Sequence, residues 1–299
     1  MKFWLSMMAV PEIDQLIELA QHAEASGFYG VTYADHLVMP TKIASKYPYT
    51  VDGEIFWPLD APWPDPWIAL SVLGSHTKSI KLITNIYLAA MRDPFTVARM
   101  VSTASEFSNG RILCGVSAGW LKEEYDAAQI DFASRGRRLD EIIACARQLW
   151  TGEIVSHKGE FFEYDSVIMR PAPKGHVEVW SGGGSKPALR RAAANDGWLG
   201  LPMTVEQNVG VAQAMYKMRG EMGLPQTGFS PCISLIEPLT TGAAEKLKAA
   251  GIDDIMSIPY MPTPWENEGF VPANADISKL QVKKDAVSRY AERVIHGLK

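Results

Sequence analysis

The chain has 299 residues, 47% of them hydrophobic and 21% charged, and a formal net charge of −5. That length admits one large α/β barrel or two ordinary domains, and the balance is that of a globular protein with a full core. The mild acidity, with no basic block or stripe, argues against a nucleic-acid surface. No apolar run approaches the roughly 18–20 residues that span a bilayer.

Taken in chain order, the pattern alternates strand and helix. A short apolar run predicts a strand at Phe3–Met7. An amphipathic helix follows over Glu12–Ala25, with apolar Ile13, Leu16, Ile17, Ala20 and Ala23, and stops at Gly27. Tyr29–Ala34 reads as a second strand, Pro66–Ser75 as a helix, Ile80–Asn85 as a third strand. Pro94–Phe107 reads as a helix opened by proline, and Arg111–Val116 as a fourth strand. A helix is expected over Gly136–Trp150 and a hairpin-like piece over Ile154–Tyr164. Strands at Val177–Trp180, Gly197–Leu201, Ser230–Ile236 and Asp253–Ile258 then alternate with helices at Lys186–Ala194, Val205–Met222 and Thr241–Ala250. A last helix covers Ser278–Ile295.

Eight short apolar strands, most followed by a helix, imply parallel pairing with crossover helices. Closure of eight such units gives a (β/α)8 barrel, with an open doubly wound sheet as the alternative. No low-complexity linker divides the chain, so residues 1–299 are read as one domain. Two segments fit no unit, a proline- and aromatic-rich stretch at about 37–64 and another at about 259–275. Long segments of this kind are usually lids or binding loops. The cysteines, Cys114, Cys145 and Cys232, are odd in number and form no CxxC. They read as small core residues, and a reducing cytoplasm is the simplest setting.

In a barrel, chemistry sits at the C-terminal ends of the strands. Those ends carry Ala34-Asp35-His36, then Thr84-Asn85-Ile86, then Gly115-Val116-Ser117-Ala118-Gly119-Trp120, then Ser181-Gly182-Gly183-Gly184-Ser185. Small residues let the backbone approach a flat ring closely. The Gly182–Ser185 turn opens a helix, whose free N–H groups and dipole favour a phosphate. Lys186, Arg190 and Arg191 add positive charge there. His36 beside Asp35 is an acid–imidazole pair, although a histidine at a strand end often serves only packing. There is no HExxH and no His/Cys cluster, so no metal site is expected.

Five stretches carry a resemblance: GFYGVTYADHLVMP, YPYTVDGEIFWPLDAPWPDPW, KLITNIYLAAMRDPFTVAR, NGRILCGVSAGWLKEEYDAAQIDFASRGRRLDE and VEVWSGGGSKPALRRAAANDGW. In this order and spacing they resemble the bacterial luciferase-like monooxygenase superfamily. Two of them, Tyr47–Trp67 and GVSAGW, look most like its coenzyme F420-dependent (deazaflavin) oxidoreductases. The resemblance implies a (β/α)8 TIM barrel with insertion loops, often a dimer, and a flavin or deazaflavin at the strand C-termini. It implies that Asp35 and His36 lie beside the ring. Thr84, Asn85 and Ile86 match a segment that often carries a bulge or a non-proline cis peptide. Ala118, Gly119 and Trp120 match the fourth-strand turn. Gly182, Gly183, Gly184 and Ser185 match the turn that holds the phosphate.

One departure matters. Some sugar-phosphate dehydrogenases of this family place a glutamate directly after the fourth-strand glycine as proton donor, and Trp120 stands there instead. Glu123 and Glu124 come one turn later, and a solvent-facing position for them leaves His36 as the acid/base candidate, since imidazole titrates near neutrality. The expected reaction is hydride transfer between coenzyme F420 and a small organic substrate under the 37–64 loop. In it Asp35 orients the imidazole or contacts the ring's polar edge, and Trp57, Trp63 and Trp120 supply apolar walls. Three alternatives stand beside it: an FMN-dependent monooxygenase using O2, a non-catalytic cofactor-binding protein, and a hydrolase pairing Asp35 with Glu54.

Overall fold

In a computed structural model, residues 1–8, 10–50, 52–261 and 270–298 are described. Eight parallel strands close into a barrel: β1 (Lys2–Ser6), β2 (Gly30–Tyr33), β3 (Lys81–Thr84), β4 (Ile112–Val116), β7 (Val179–Gly182), β8 (Gly197–Met203), β9 (Ser230–Leu235) and β10 (Asp254–Ser257). Closure comes from β1, which pairs with β2 on one side and with β10 on the other, Lys2 opposite Asp254 and Trp4 opposite Gly30. The expected (β/α)8 barrel is therefore present, and the open sheet is not. A hairpin, β5 (Val155–Lys158) and β6 (Glu163–Val167), lies outside the barrel as a two-stranded sheet.

The helices are α1 (Leu16–Ala25), α2 (Pro66–His76), α3 (Pro94–Phe107), α4 (Lys122–Ala127), α5 (Arg135–Leu149), α6 (Lys186–Ala194), α7 (Val205–Glu221), α8 (Thr241–Ala249) and α9 (Leu280–Tyr290). Local chemistry starts several of them sharply. Asp65 accepts from the Trp67 and Ile68 amides at 2.9 and 3.1 Å ahead of α2, and Asp93 accepts from Thr96 N at 2.9 Å ahead of α3. Both caps are followed by proline at the first helical position, where its missing N–H costs nothing. Thr204 and Gln207 form a reciprocal capping box on α7.

Two apolar layers follow from strand alternation. Trp4, Ile83, Leu113, Trp180, Leu199, Cys232 and Met256 point inward and fill the barrel. The residues between them, such as Leu5, Val31, Leu82 and Ile255, meet the helices. Gly30 and Gly197 make room for the inner tryptophans, since a Cβ would stand 2.2 Å from Trp4 and 2.5 Å from Trp180 respectively. At the N-terminal end of the barrel, Asp254 accepts from Trp4 Nε1 at 2.8 Å and pairs with Lys2 at 3.7 Å. All three cysteines are buried free thiols, and burial pushes that of Cys114 up to about 12.

The 37–64 stretch runs between β2 and α2 without a helix or strand among its described residues, and lies against the C-terminal rim. Of the second expected insertion, residues 262–269 lie outside the described residues.

Candidate active site

The residues singled out from sequence lie on four neighbouring strands, β2, β3, β4 and β7, along one arc of the C-terminal rim. The structure sorts them by what their side chains already hold.

Asp35 is 5% exposed and is committed elsewhere than to His36. Its carboxylate takes a two-pronged ion pair from Arg92, at 2.6 and 3.0 Å, and the Leu88 amide at 2.9 Å. Arg92 in turn lies over the Tyr87 ring at 4.5 Å. Burial raises the Asp35 carboxyl above its ordinary range, and Arg92 pulls the other way. The expectation that Asp35 orients the imidazole is corrected on this ground: its oxygens tie β2 to the segment after β3.

The partner of His36 is Glu124. Oε2 of Glu124 stands 3.1 Å from His36 Nδ1, with side chains 1% and 8% exposed. Oε1 accepts from the Leu37 amide at 2.5 Å and from the Val38 amide at 3.3 Å. A solvent-facing Glu124 is thereby ruled out. Glu123 also turns to the protein, accepting from the Ala44 and Ser45 amides at 2.8 and 3.0 Å. Burial would raise its carboxyl, but the hydrogen bonds from Ser45 and Ala44 outweigh that and hold it down at about 2. Both glutamates sit on α4, a helix that is not among those expected from sequence. The signal available was a pair of acids directly after the fourth-strand turn, followed by a tyrosine whose hydroxyl ties α4 to Ala118 O at 2.6 Å.

The loop brings an aromatic cluster over this pair. Trp63 and Trp57 lie 4.7 and 5.7 Å from the His36 ring, centroid to centroid. Tyr47 joins Trp57 to Trp120, at 5.1 Å from each. The indole N–H groups of Trp57 and Trp63 are buried with no hydrogen-bond partner among the described residues. Burial pushes the Tyr47 hydroxyl well above its ordinary range.

Thr84 is fully buried, and its hydroxyl donates to Gly115 O at 2.7 Å and accepts from Gly115 N at 3.0 Å. The side chain therefore pins β3 to β4. The Asn85–Ile86 peptide is cis. Asn85 Nδ2 donates to Met256 Sδ at 3.1 Å, and Ile86 packs on the barrel interior and against Gly182, where a Cβ would stand 2.2 Å from Ile86 Cδ1. In the fourth-strand turn Gly119 adopts φ +72° and its carbonyl accepts from Arg135 Nε at 3.3 Å. In the glycine turn Gly183 adopts φ +106°, a region open mainly to glycine, and its carbonyl accepts from Trp198 Nε1 at 3.0 Å. Gly184, Ser185, Lys186 and Arg190 are exposed. Ser185 caps α6 and Pro187 follows in its first turn, so the N–H of Lys186 has no intrahelical partner. Arg191 is not free for an anion: its guanidinium binds Asp140 and Gly136 O. Glu54 pairs with exposed Lys46 at 2.7 Å, away from Asp35's partners, which leaves the carboxylate pair of a hydrolase without a basis.

Among the described residues, no group of three or more His, Cys, Asp or Glu side chains could hold a metal ion, and no helix is long and apolar enough to cross a membrane.

Residues 2–270 match the family described as luciferase-like monooxygenase. An uncharacterised protein of Mycobacterium tuberculosis is 28% identical over 293 residues, 96% of each chain. An F420-dependent hydroxymycolic acid dehydrogenase of the same organism is 28% identical over 62% of this chain and 48% of its own. An FMNH2-dependent dimethylsulfone monooxygenase of Pseudomonas fluorescens is 27% identical over 62% of this chain and 47% of its own. Among solved structures, the coenzyme F420 dependent tetrahydromethanopterin reductase of Methanopyrus kandleri superposes with a TM-score of 0.73 at 12% identity, covering 100% of this chain and 99% of that one.

Proposed function

The chain belongs to the luciferase-like monooxygenase family, and within that family we propose that it is an oxidoreductase transferring a hydride between coenzyme F420 and a small organic substrate. The observation that carries the reading is His36, a largely buried imidazole at the C-terminal end of β2, held at Nδ1 by Glu124 and roofed by Trp57 and Trp63.

The residues fit a ring with an anionic arm. At the β7 end, the exposed Gly184–Ser185–Lys186 turn offers backbone N–H groups and positive charge to a phosphate. Three strand spacings, about 14 Å, separate that turn from His36 on β2. At the strand ends between them Gly119, after β4, and Gly182, in β7, carry no side chain. When bound, the deazaflavin supplies a two-electron hydride donor or acceptor. The protein's part is to seat the substrate against His36, to exclude water with the aromatic roof, and to move one proton at His36 Nε2. For an alcohol substrate the hydroxyl proton goes to Nε2 as the carbon gives up its hydride, and in the reverse direction Nε2 returns it.

FMN is the second reading of the same site, favoured by the FMNH2-dependent relative. We also propose one barrel domain for the whole chain and a cytoplasmic homodimer, the dimer supported by the apolar outer face of α2 and α3, where Ile68 and Phe107 are 64% and 63% exposed. Titration calorimetry with coenzyme F420 and, separately, FMN tests the cofactor. Micromolar binding of the deazaflavin, with weaker binding of FMN, is expected; the opposite order moves the protein to oxygen chemistry. With a substrate found, His36→Ala should lower kcat roughly 10²-fold or more, and unchanged turnover would remove His36 from the mechanism.

A further inference from the structure

We propose that Glu124 is the positioning residue of this site, fixing the proton of neutral His36 on Nδ1 and leaving Nε2 as the lone-pair nitrogen offered to substrate. The inference rests on the oxidoreductase reading for its consequence, but not for its geometry.

An ionised carboxylate only accepts hydrogen bonds. Glu124 is buried, and its two oxygens meet three partners: the Leu37 and Val38 amides on Oε1 and His36 Nδ1 on Oε2. Two of the three are obligatory donors, and both fall on Oε1, which leaves Oε2 aimed at the imidazole. Facing a carboxylate oxygen, the third must be a donor as well, which puts the imidazole proton on Nδ1. Among the described residues, neither neighbouring acid competes for the ring. Asp35, adjacent in sequence, is saturated by Arg92 and the Leu88 amide, and Glu123 is turned to Ala44 and Ser45. Nε2 makes no hydrogen bond among the described residues, while the rings of Trp57 and Trp63 close around the imidazole. The carboxylate is itself fixed on the β4 side, because Tyr125, its neighbour on α4, donates to Ala118 O at 2.6 Å. The Glu124–His36 bond thus spans from the β4 end to the β2 end, passing over β3.

Substitution by glutamine makes the idea sharp. The amide oxygen of Gln can keep accepting from Leu37 and Val38, but its NH2 can only donate to His36 Nδ1. The variant should therefore fold and invert the tautomer, moving the proton to Nε2.

The test is imidazole ¹⁵N NMR on the full chain without cofactor, at a pH where the ring is neutral, with the His36 signals assigned by their loss in His36→Gln. Wild-type protein should show Nδ1–H with Nε2 unprotonated, and Glu124→Gln should show Nε2–H. A wild-type Nε2–H tautomer, or a tautomer unmoved by Glu124→Gln, overturns the proposal. In turnover the same variant should lose roughly 10²-fold or more in kcat with KM changed less than about 3-fold. If the spectra behave as expected but no deazaflavin or flavin supports any reaction, the positioning role stands and the oxidoreductase reading falls.

Discussion

Two glycines with opposite surroundings define what single residues contribute to this barrel. Gly115 sits where β4 meets β3: a Cβ would stand 1.8 Å from the Thr84 carbonyl oxygen and 2.7 Å from Leu199 Cδ1. The Thr84 hydroxyl bonds both backbone groups of Gly115, so the strands cannot part without breaking that pin. Gly115→Ala should cost about 3 kcal/mol in chemical denaturation, and a loss under about 1 kcal/mol would mean that the strands yield. Gly210 lies inside α7 with nothing within 4 Å of an added Cβ. There the helix gains from a less flexible residue, and Gly210→Ala should stabilise by roughly 0.5–1 kcal/mol. Both positions look alike in the sequence; what separates them is a contact across strands.

At the scale of elements, α4 and the 37–64 loop form one device. Glu123 and Glu124 hold the loop at 44–45 and at 37–38. Glu123 has its carboxyl lowered from the ordinary 4.5 to about 2. A depressed acid contributes stability that is present above its unfolded value and is lost as pH falls through its folded value. The loop's hold at 44–45 should therefore weaken between pH 4.5 and about 2. Fluorescence of the loop tryptophans, compared with that of Glu123→Gln, checks this: the variant should lose the acid transition, and a transition unchanged in it would assign the effect to other carboxyls. The same elements mark the limit of sequence reading. α3 and α6 have the bounds their proline and cap residues announce. By contrast α4 has six residues, no side-chain cap and too few turns for an apolar period to emerge. The strand at Val177–Trp180 begins two residues later, at Val179, because an apolar run does not tell where pairing with Cys114–Val116 starts.

At the scale of the molecule, the barrel has a holding end and a working end. The N-terminal end buries Asp254 against Trp4, with half-exposed Lys2 paired to it, and the C-terminal end carries His36 and the glycine turn. The alternation of short apolar runs with helices foretells eight parallel strands and the strand ends that carry the site, while closure rather than an open sheet follows from the family resemblance. The Glu124–His36 contact was not legible, since it joins residues 88 apart that no local period relates. The outer surface adds one more expectation. Helix α2 is apolar on nearly every side, and Ile68 and Val72 on its outer face are 64% and 41% exposed beside Phe107. A helix of that kind needs cover. Ile68→Glu combined with Phe107→Glu should halve the mass seen by light scattering if two copies meet on this face, and a mass unchanged by the pair of substitutions would place any dimer elsewhere.

The way the loop is fastened has a consequence for its history. Both glutamates grip main-chain N–H groups, at Leu37, Val38, Ala44 and Ser45, and main-chain groups are the same in every residue but proline. The clasp is therefore blind to the side chains it fastens. A loop of different length and lining could be grafted between these points, giving a new choice of substrate while the barrel beneath stays as it is.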